Sequence, residues 1–140
     1  MSQDFTKKTA IVIYKNLESW QAINTVAHIS AYIGNKMREP FDTGDNFITK
    51  DGKPHPRDSQ YPIIVLSAKP EQMRELMIKV KDSGLLHFGF TREMLEMSND
   101  KEVAETISET LDQDIEYLGI GIFGKNENVD TLTRKFRLWQ

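Results

Sequence analysis

Asn24 and His28 are the polar residues whose types and spacing best suit a functional site, because residues four apart on a helix share a face. An imidazole can accept or donate a proton near neutral pH, provided that a partner within about 3 Å fixes its tautomer. We therefore treat His28 as the candidate catalytic residue and Asn24 as a candidate ligand-binding residue. The alternative is that His28 is a structural residue held by a hydrogen bond within the fold.

The segment that positions both residues spans 20–34 and has the spacing of an amphipathic helix. At about 100° per residue, its apolar residues gather on one side: Ala22, Ile23, Val26, Ile29 and Ile33. The opposite side carries Gln21, Asn24, Thr25, His28 and Tyr32. No Asp, Glu, Lys or Arg occurs from 19 to 35, although a solvated helix surface normally carries such residues. The uncharged polar side therefore predicts partial cover, either by protein or by a cleft that binds ligands.

Short apolar runs that alternate with helix signals predict an α/β fold. The runs at 9–14, 62–67, 85–90 and 117–123 predict strands, and the alternation over 135–139 predicts an edge strand. Helices are predicted over 20–34, with Gly34-Asn35 as the end, over 70–84, and in shorter segments that begin near Thr91, at Asn99 or Asp100, and at Glu127. This order predicts a single domain over 1–140, with a mixed four- to five-stranded sheet and helices on both faces.

Residues 37–60 interrupt this pattern with three of the five prolines in the chain. Within this excursion, residues 46–49 followed by Asp51-Gly52 predict a small hairpin. A long excursion in a compact domain is either a functional flap or a packed surface loop, and the sequence leaves both open.

Composition excludes several classes of function. The chain has no cysteine, so it cannot form disulfides or use a thiolate, and its three histidines show no metal-ligand spacing. We expect no metal and no cofactor. No apolar leader or membrane span is present, so we expect a cytoplasmic protein with no membrane partner. Residues 93–116 carry nine carboxylates and one base, and this negative charge argues against nucleic acid as a partner.

Gly119, Gly121 and Gly124 match the dinucleotide pattern G-x-G-x-x-G. That pattern works in the turn after a strand, where it opens a helix. Here the glycines alternate with apolar residues inside a predicted strand. They therefore predict a strand whose small face lets a helix approach closely.

Several stretches, taken together, resemble the type II peptidyl-tRNA hydrolases. I-V-I-Y-K-N-L at 11–17 and A-H-I-S-A at 27–31 resemble that family's V-V-R-x-D-L strand and its helix with A-Q-x-x-H-A. G-I-F-G at 121–124, V-D-x-L-T at 129–133 and F-R-L at 136–138 resemble its I-G-P, I-D-x-x-T-G and L-K-L signatures. The wording W-Q-x-x-N-x-x-A-H at 20–28 is closer to an uncharacterised branch of that superfamily, the domain of unknown function number two thousand family.

The resemblance implies the type II peptidyl-tRNA hydrolase-like fold and a cleft beside the first helix. Lys15, Asn24, His28 and Thr91 would line that cleft and bind a small molecule or a peptide. The hydrolases carry G-K-G-K and D-A-G-R-T motifs, where this chain reads E-S-W-Q at 18–21 and F-T-R-E-M at 90–94. The lysine and aspartate that the family is thought to use are therefore missing.

Two alternatives to a binding cleft follow from the same resemblance. One is an ester hydrolase that acts on aminoacyl- or peptidyl-tRNA with a rearranged site, in which Lys15 and Arg92 contact phosphate. The other is a structural or interaction module. Because the superfamily forms dimers, the resemblance also implies a homodimer.

Overall fold

The computed structural model describes residues 4–38 and 45–140, which form seven strands and five α-helices. The strands are β1 (Lys7–Tyr14), β2 (Phe47–Ile48), β3 (Pro54–His55), β4 (Ile63–Ala68), β5 (Leu86–Thr91), β6 (Tyr117–Lys125) and β7 (Arg137–Leu138). The helices are α1 (Ser19–Met37), α2 (Pro70–Ser83), α3 (Arg92–Glu96), α4 (Asp100–Ser108) and α5 (Asn126–Thr133), with a 3-10 turn at Asp112–Asp114. Every strand and helix predicted from the sequence is present.

The main sheet has five strands in the order β5-β6-β1-β4-β7. β1 and β4 run parallel, and the other neighbouring pairs are antiparallel. The mixed five-stranded sheet is therefore confirmed. β1 lies at the centre, which explains why its run from Thr9 to Ile13 is buried on both faces rather than alternating.

Helices cover both faces of this sheet, as predicted. On one face, α2 and α5 pack over β1 and β6, with a core that includes Val12, Val80 and Ile120. On the other face, α1 packs over β1, β5 and β6, with a core that includes Ile11 and Ile29. The two faces therefore differ in the number of helices that cover them.

The end of α1 lies beyond the predicted end at Gly34-Asn35, so that prediction was wrong. The helix runs to Met37, and Arg38 adopts the positive φ of 49° that ends it. The amide of Arg38 donates a hydrogen bond to the carbonyl of Gly34 at 3.0 Å. Gly34 itself has ordinary helical geometry, because the left-handed position falls four residues later.

The buried side of α1 is also rotated from the predicted one. Ile23 is 69% exposed, whereas Thr25, which was predicted on the polar side, is completely buried. The cause lies in β6, because a Cβ added to Gly119 would lie 2.5 Å from the Thr25 methyl group, and one added to Gly121 would overlap Ile29. Because these positions of β6 are glycines, the side of α1 that carries Thr25 can pack closely against the strand. The sequence predicted such a close approach of a helix to this strand.

The predicted hairpin within 37–60 is confirmed. β2 and β3 pair in antiparallel fashion, and the turn is closed by the amide of Gly52, which donates to the carbonyl of Thr49 at 3.0 Å. Gly52 takes the left-handed φ of 83° that the Asp-Gly turn requires. Residues 39–44 of the excursion lie outside the described residues, and its function as a flap stays a prediction.

Candidate functional site

The carboxyl ends of β1, β4 and β5 lie at one edge of the sheet, and the predicted site residues lie around this edge. Lys15 follows β1, Thr91 ends β5, and His28 reaches the edge from α1. β6 separates β1 from β5, so Lys15 and Thr91 belong to strands about 10 Å apart. The edge brings the predicted residues into one region, and their environments differ.

His28 lies on the flank of α1 that faces β5. Its exposed ring stacks on buried Phe90, with centroids 5.0 Å apart and an interplanar angle of 15°. One turn further along α1, Tyr32 stacks on Phe88 in the same manner, at 4.5 Å and 18°. We call these four residues the aromatic flank. They account for part of the uncharged side of α1, because aromatic side chains of β5 lie beneath His28 and Tyr32.

The other two predicted residues beside this flank differ in exposure. Asn24 is exposed on α1, one turn before His28. Thr91 is 4% exposed, and its hydroxyl accepts a hydrogen bond from the amide of Met94 at 3.3 Å. Thr91 is thus the N-cap of α3, as the sequence predicted, and this bond uses its hydroxyl as an acceptor. The catalytic role of His28 and the ligand-binding roles of Asn24 and Thr91 stay predictions.

Arg92, which the hydrolase alternative assigned to phosphate, is held by carboxylates. Its Nε donates to Glu116 at 2.5 Å, and its other nitrogens donate to Glu116 and Glu96 at 3.1 Å each. The hydrogen bonds to Glu116, and then those to Glu96, raise the pKa of the Arg92 guanidinium above its ordinary value. The guanidinium therefore joins α3 to the start of β6 rather than facing solvent as a free cation.

Lys15 lines a cleft of about 410 Å³ at the carboxyl edge of β1 and β4. We call this the basic cleft, and its polar lining consists of Lys15, Ser67, Lys69, Gln72, Lys135 and Arg137. Four of these six side chains are cationic in a chain whose net charge is −3. The cleft is therefore positively charged, although the protein as a whole carries a net negative charge.

Strand pairing explains how distant segments meet in the basic cleft. The amide of Lys15 donates to the carbonyl of Ala68 at 2.9 Å, which continues the parallel pairing of β1 with β4. Ser67 is directly opposite Arg137 in the antiparallel pair of β4 with β7. Lys69 then caps the start of α2, where its amide donates to the side chain of Gln72 at 2.8 Å.

Three of the four cations have no carboxylate partner among residues 4–38 and 45–140, namely Lys15, Lys69 and Arg137. Lys135 differs, because its ammonium lies 3.6 Å from Glu75. The hydrogen bond from Lys79, followed by the charge of Lys135, lowers the pKa of Glu75. The cleft thus holds unpaired positive charge beside the N-terminus of α2, whose dipole has the same sign. Such a site can bind a phosphate or a carboxylate.

The sequence pointed to Lys15 alone among these residues. The grouping of Lys69, Lys135 and Arg137 with it depends on the strand order β1-β4-β7, which no local pattern specifies. The sequence did contain one indication that these residues meet. Two parallel strands of one sheet end at the same edge, so the residues that follow them lie near one another. That rule would have placed Lys15 and Lys69 together.

On its other flank, α1 borders an apolar groove of about 430 Å³, whose opposite wall comes from β1, β4 and the residue after β7. We call it the α1 groove, and its main lining residues are Ile13, Ile23, Val26, Ala27, Val65 and Trp139. This groove lies beside the first helix, and its apolar lining includes none of the residues predicted to line a cleft there, namely Lys15, Asn24, His28 and Thr91.

Within the described parts of the chain, no cluster of three or more His, Cys, Asp or Glu side chains is arranged to hold a metal ion. No described helix combines the length and apolar character needed to cross a bilayer.

Comparison with known proteins places the chain in a family. The sequence profile of the family described as "Protein of unknown function (DUF2000)" matches residues 7–140. The chain belongs to this family. The prediction of a domain of unknown function family is therefore confirmed, and the link to the peptidyl-tRNA hydrolase-like superfamily stays a prediction. No curated protein gives a significant match.

A solved structure shares the fold. It is a protein of unknown function from Agrobacterium tumefaciens strain C58, 19% identical to this chain, with a TM-score of 0.84. The alignment covers 98% of this chain and 100% of that protein. At this identity the likeness shows the α/β architecture and says nothing of a ligand.

Proposed function

We propose that this protein binds a small anionic molecule, through a phosphate or carboxylate group held in the basic cleft. The observation that carries the proposal is the convergence of four cationic side chains on one cavity, from the residues that follow β1 and β4 and from the segment around β7. Three of them have no carboxylate partner among the described residues. Unpaired cations repel one another, and a bound anion would relieve that repulsion.

The size and the donors of the cleft fit this class of ligand. A volume of about 410 Å³ lies within the range of small-molecule sites. Arg137 supplies a planar fork of donors that suits phosphate or carboxylate, and Lys15 supplies a mobile charge. The hydroxyl of Ser67 and the amide of Gln72 add neutral donors that would orient the ligand.

The hydrolase alternative has less support. It needs both Lys15 and Arg92 to contact the phosphates of tRNA, whereas Arg92 donates to Glu116 and Glu96. The acidic segment 93–116 lies next to Arg92 and would repel a polyanion. A small anion that enters the basic cleft avoids both obstacles.

The proposal is tested by calorimetric titration of the purified protein with inorganic phosphate and with acetate. We expect Arg137→Gln to weaken phosphate binding about tenfold or more, since a charge-assisted hydrogen bond is lost. Arg134→Gln is the matched control, because Arg134 is an exposed arginine of the same segment that does not line the cleft. Equal affinities of the two variants would overturn the proposal, and so would a lack of binding by the unaltered protein.

A parallel titration with deacylated tRNA separates the alternatives. The proposal predicts that phosphate binds and that tRNA does not bind with a steep dependence on salt. Binding of tRNA that weakens steeply with salt and is lost in Arg92→Gln would favour the hydrolase alternative instead.

A further inference from the structure

The α1 groove and the basic cleft each share lining residues with one smaller cavity. A smaller cavity of about 210 Å³ shares Lys15, Ser67 and Arg137 with the basic cleft and shares Trp139 with the α1 groove. The cationic lining and the apolar lining therefore adjoin at Arg137 and Trp139.

The alternation of side chains along the strands produces this division. Ile13 is opposite Ser67, and Ser67 is opposite Arg137, so all three side chains point to the face that α1 covers. Trp139, two residues beyond Arg137, points to the same face, and its amide donates to the carbonyl of Val65 at 3.0 Å. A step of two residues, about 7 Å along an extended backbone, thus separates Arg137 from Trp139.

Side chains of α1 form the remaining wall of the α1 groove. Ile23 and Ala27 form its outer wall and are exposed, although the segment 19–35 contains no charged residue that would solvate them. Val26 lies deeper and packs against the core on this face. The aromatic flank explains the lack of charge on one side of α1 by protein cover, but the groove side has no such cover among the described residues.

From this juxtaposition we infer that the ligand is an amphipathic anion with a single chain: its phosphate or carboxylate lies among Lys15, Ser67 and Arg137, and its alkyl or acyl chain lies in the α1 groove against Trp139. The inference rests on the proposed function and extends it to a ligand class. Charge complementarity fixes the orientation, because the reverse orientation would place an anion against an apolar wall and leave the cations unpaired.

The volume of the groove favours one free chain over a lipid in a bilayer. The groove has α1 on one side and Trp139 on the other, and its volume of about 430 Å³ matches one ligand chain rather than an extended surface. Anionic lipids carry the same phosphate group as a free alkyl phosphate. The experiment below distinguishes a free ligand from a lipid in a membrane.

Calorimetric titration with inorganic phosphate, then with butyl, hexyl and octyl phosphate below their micelle concentrations, tests the inference. Burial of each added methylene should raise the affinity about threefold to fourfold until the groove is full. Ala27→Phe should abolish this dependence on chain length and leave inorganic phosphate binding unchanged. Ala104→Phe, at an exposed alanine of α4 outside the groove, is the matched control and should keep the dependence.

The outcomes distinguish this inference from the proposed function. Phosphate binding with no dependence on chain length would overturn the inference and leave the proposed function standing. Loss of all phosphate and alkyl phosphate binding would overturn the proposed function and the inference with it. If 1-octanol bound as tightly as octyl phosphate, or if Arg137→Gln did not weaken octyl phosphate, the assignment of the charged group would be overturned. Binding to vesicles that contain phosphatidic acid, in preference to soluble octyl phosphate, would overturn the assignment to a free ligand.

Discussion

The two flanks of α1 illustrate two ways in which a helical segment without charged residues, here 19–35, can be accommodated. On the aromatic flank, His28 and Tyr32 lie on the rings of Phe90 and Phe88, so polar side chains cover an apolar strand. On the groove flank, exposed Ile23 faces an open apolar depression that leads to unpaired cations. A lack of charge on a helix therefore indicates either packing or a binding surface, and the facing strand decides which one.

The position of α1 on β6 controls both flanks, so its disturbance should have the largest effect. Gly121→Ala would place a Cβ against the Cγ2 and Cδ1 atoms of Ile29 and Ile33, the former closer than any van der Waals contact allows. We expect a loss of about 2 kcal/mol or more in the free energy of unfolding, measured by urea denaturation. Ile29→Leu removes the Cγ2 atom, so the double variant should recover part of this loss.

Gly124→Ala is the control for that prediction. A Cβ there would meet the end of the flexible Leu85 side chain at 3.0 Å, and a small shift of that side chain relieves the contact. A similar loss of stability in both glycine variants would contradict the view that α1 lies close to β6 because Gly121 has no side chain.

His28→Ala should have an intermediate effect, confined to stability. Removal of the ring that stacks on Phe90 should cost about 1 kcal/mol in the free energy of unfolding. Phosphate affinity should not change, because His28 does not line the basic cleft. A variant of normal stability that no longer binds phosphate would show that the aromatic flank, rather than the basic cleft, contains the site.

Ile23→Gln should have the smallest effect on stability. Because Ile23 is 69% exposed, its replacement should change the free energy of unfolding by less than about 0.5 kcal/mol. Ile78→Gln, at a residue of similar exposure on α2, is the matched control for urea denaturation. A loss for Ile23→Gln as large as that for His28→Ala would mean that the groove flank is packed rather than open.

Much of the fold was predictable because its signals are local. Apolar runs indicated the strands, Pro70 and Gly84 indicated the ends of α2, and Asp51-Gly52 indicated the hairpin. Gly84 takes the left-handed φ of 72° that such a helix end requires.

The rotation of α1 was not predictable from its own sequence. Helical periodicity placed Ile23 inside and Thr25 outside, since hydrophobicity alone favours that arrangement. The decisive contact joins Thr25 to Gly119, which lies more than ninety residues later. Such a pairing depends on the tertiary fold.

The candidate site was predictable only in part, for the same reason. Lys15 follows a buried strand and could be identified as a residue at the sheet edge. Arg137 joins it only because β7 pairs with β4, so the cluster of cations depends on strand order. His28 was prominent in the sequence because it shares an uncharged polar helix side with Asn24, and that signal is shared by packed and functional histidines.

The location of a bound anion is the central claim, and amide chemical shifts measured by NMR during titration with inorganic phosphate test it most directly. We predict saturable shifts centred on Lys15, on Ser67 to Gln72 and on Arg137, which Arg137→Gln suppresses. Shifts centred instead on Asn24, His28 and Thr91, or no saturable shifts, would contradict the assignment of the site to the basic cleft.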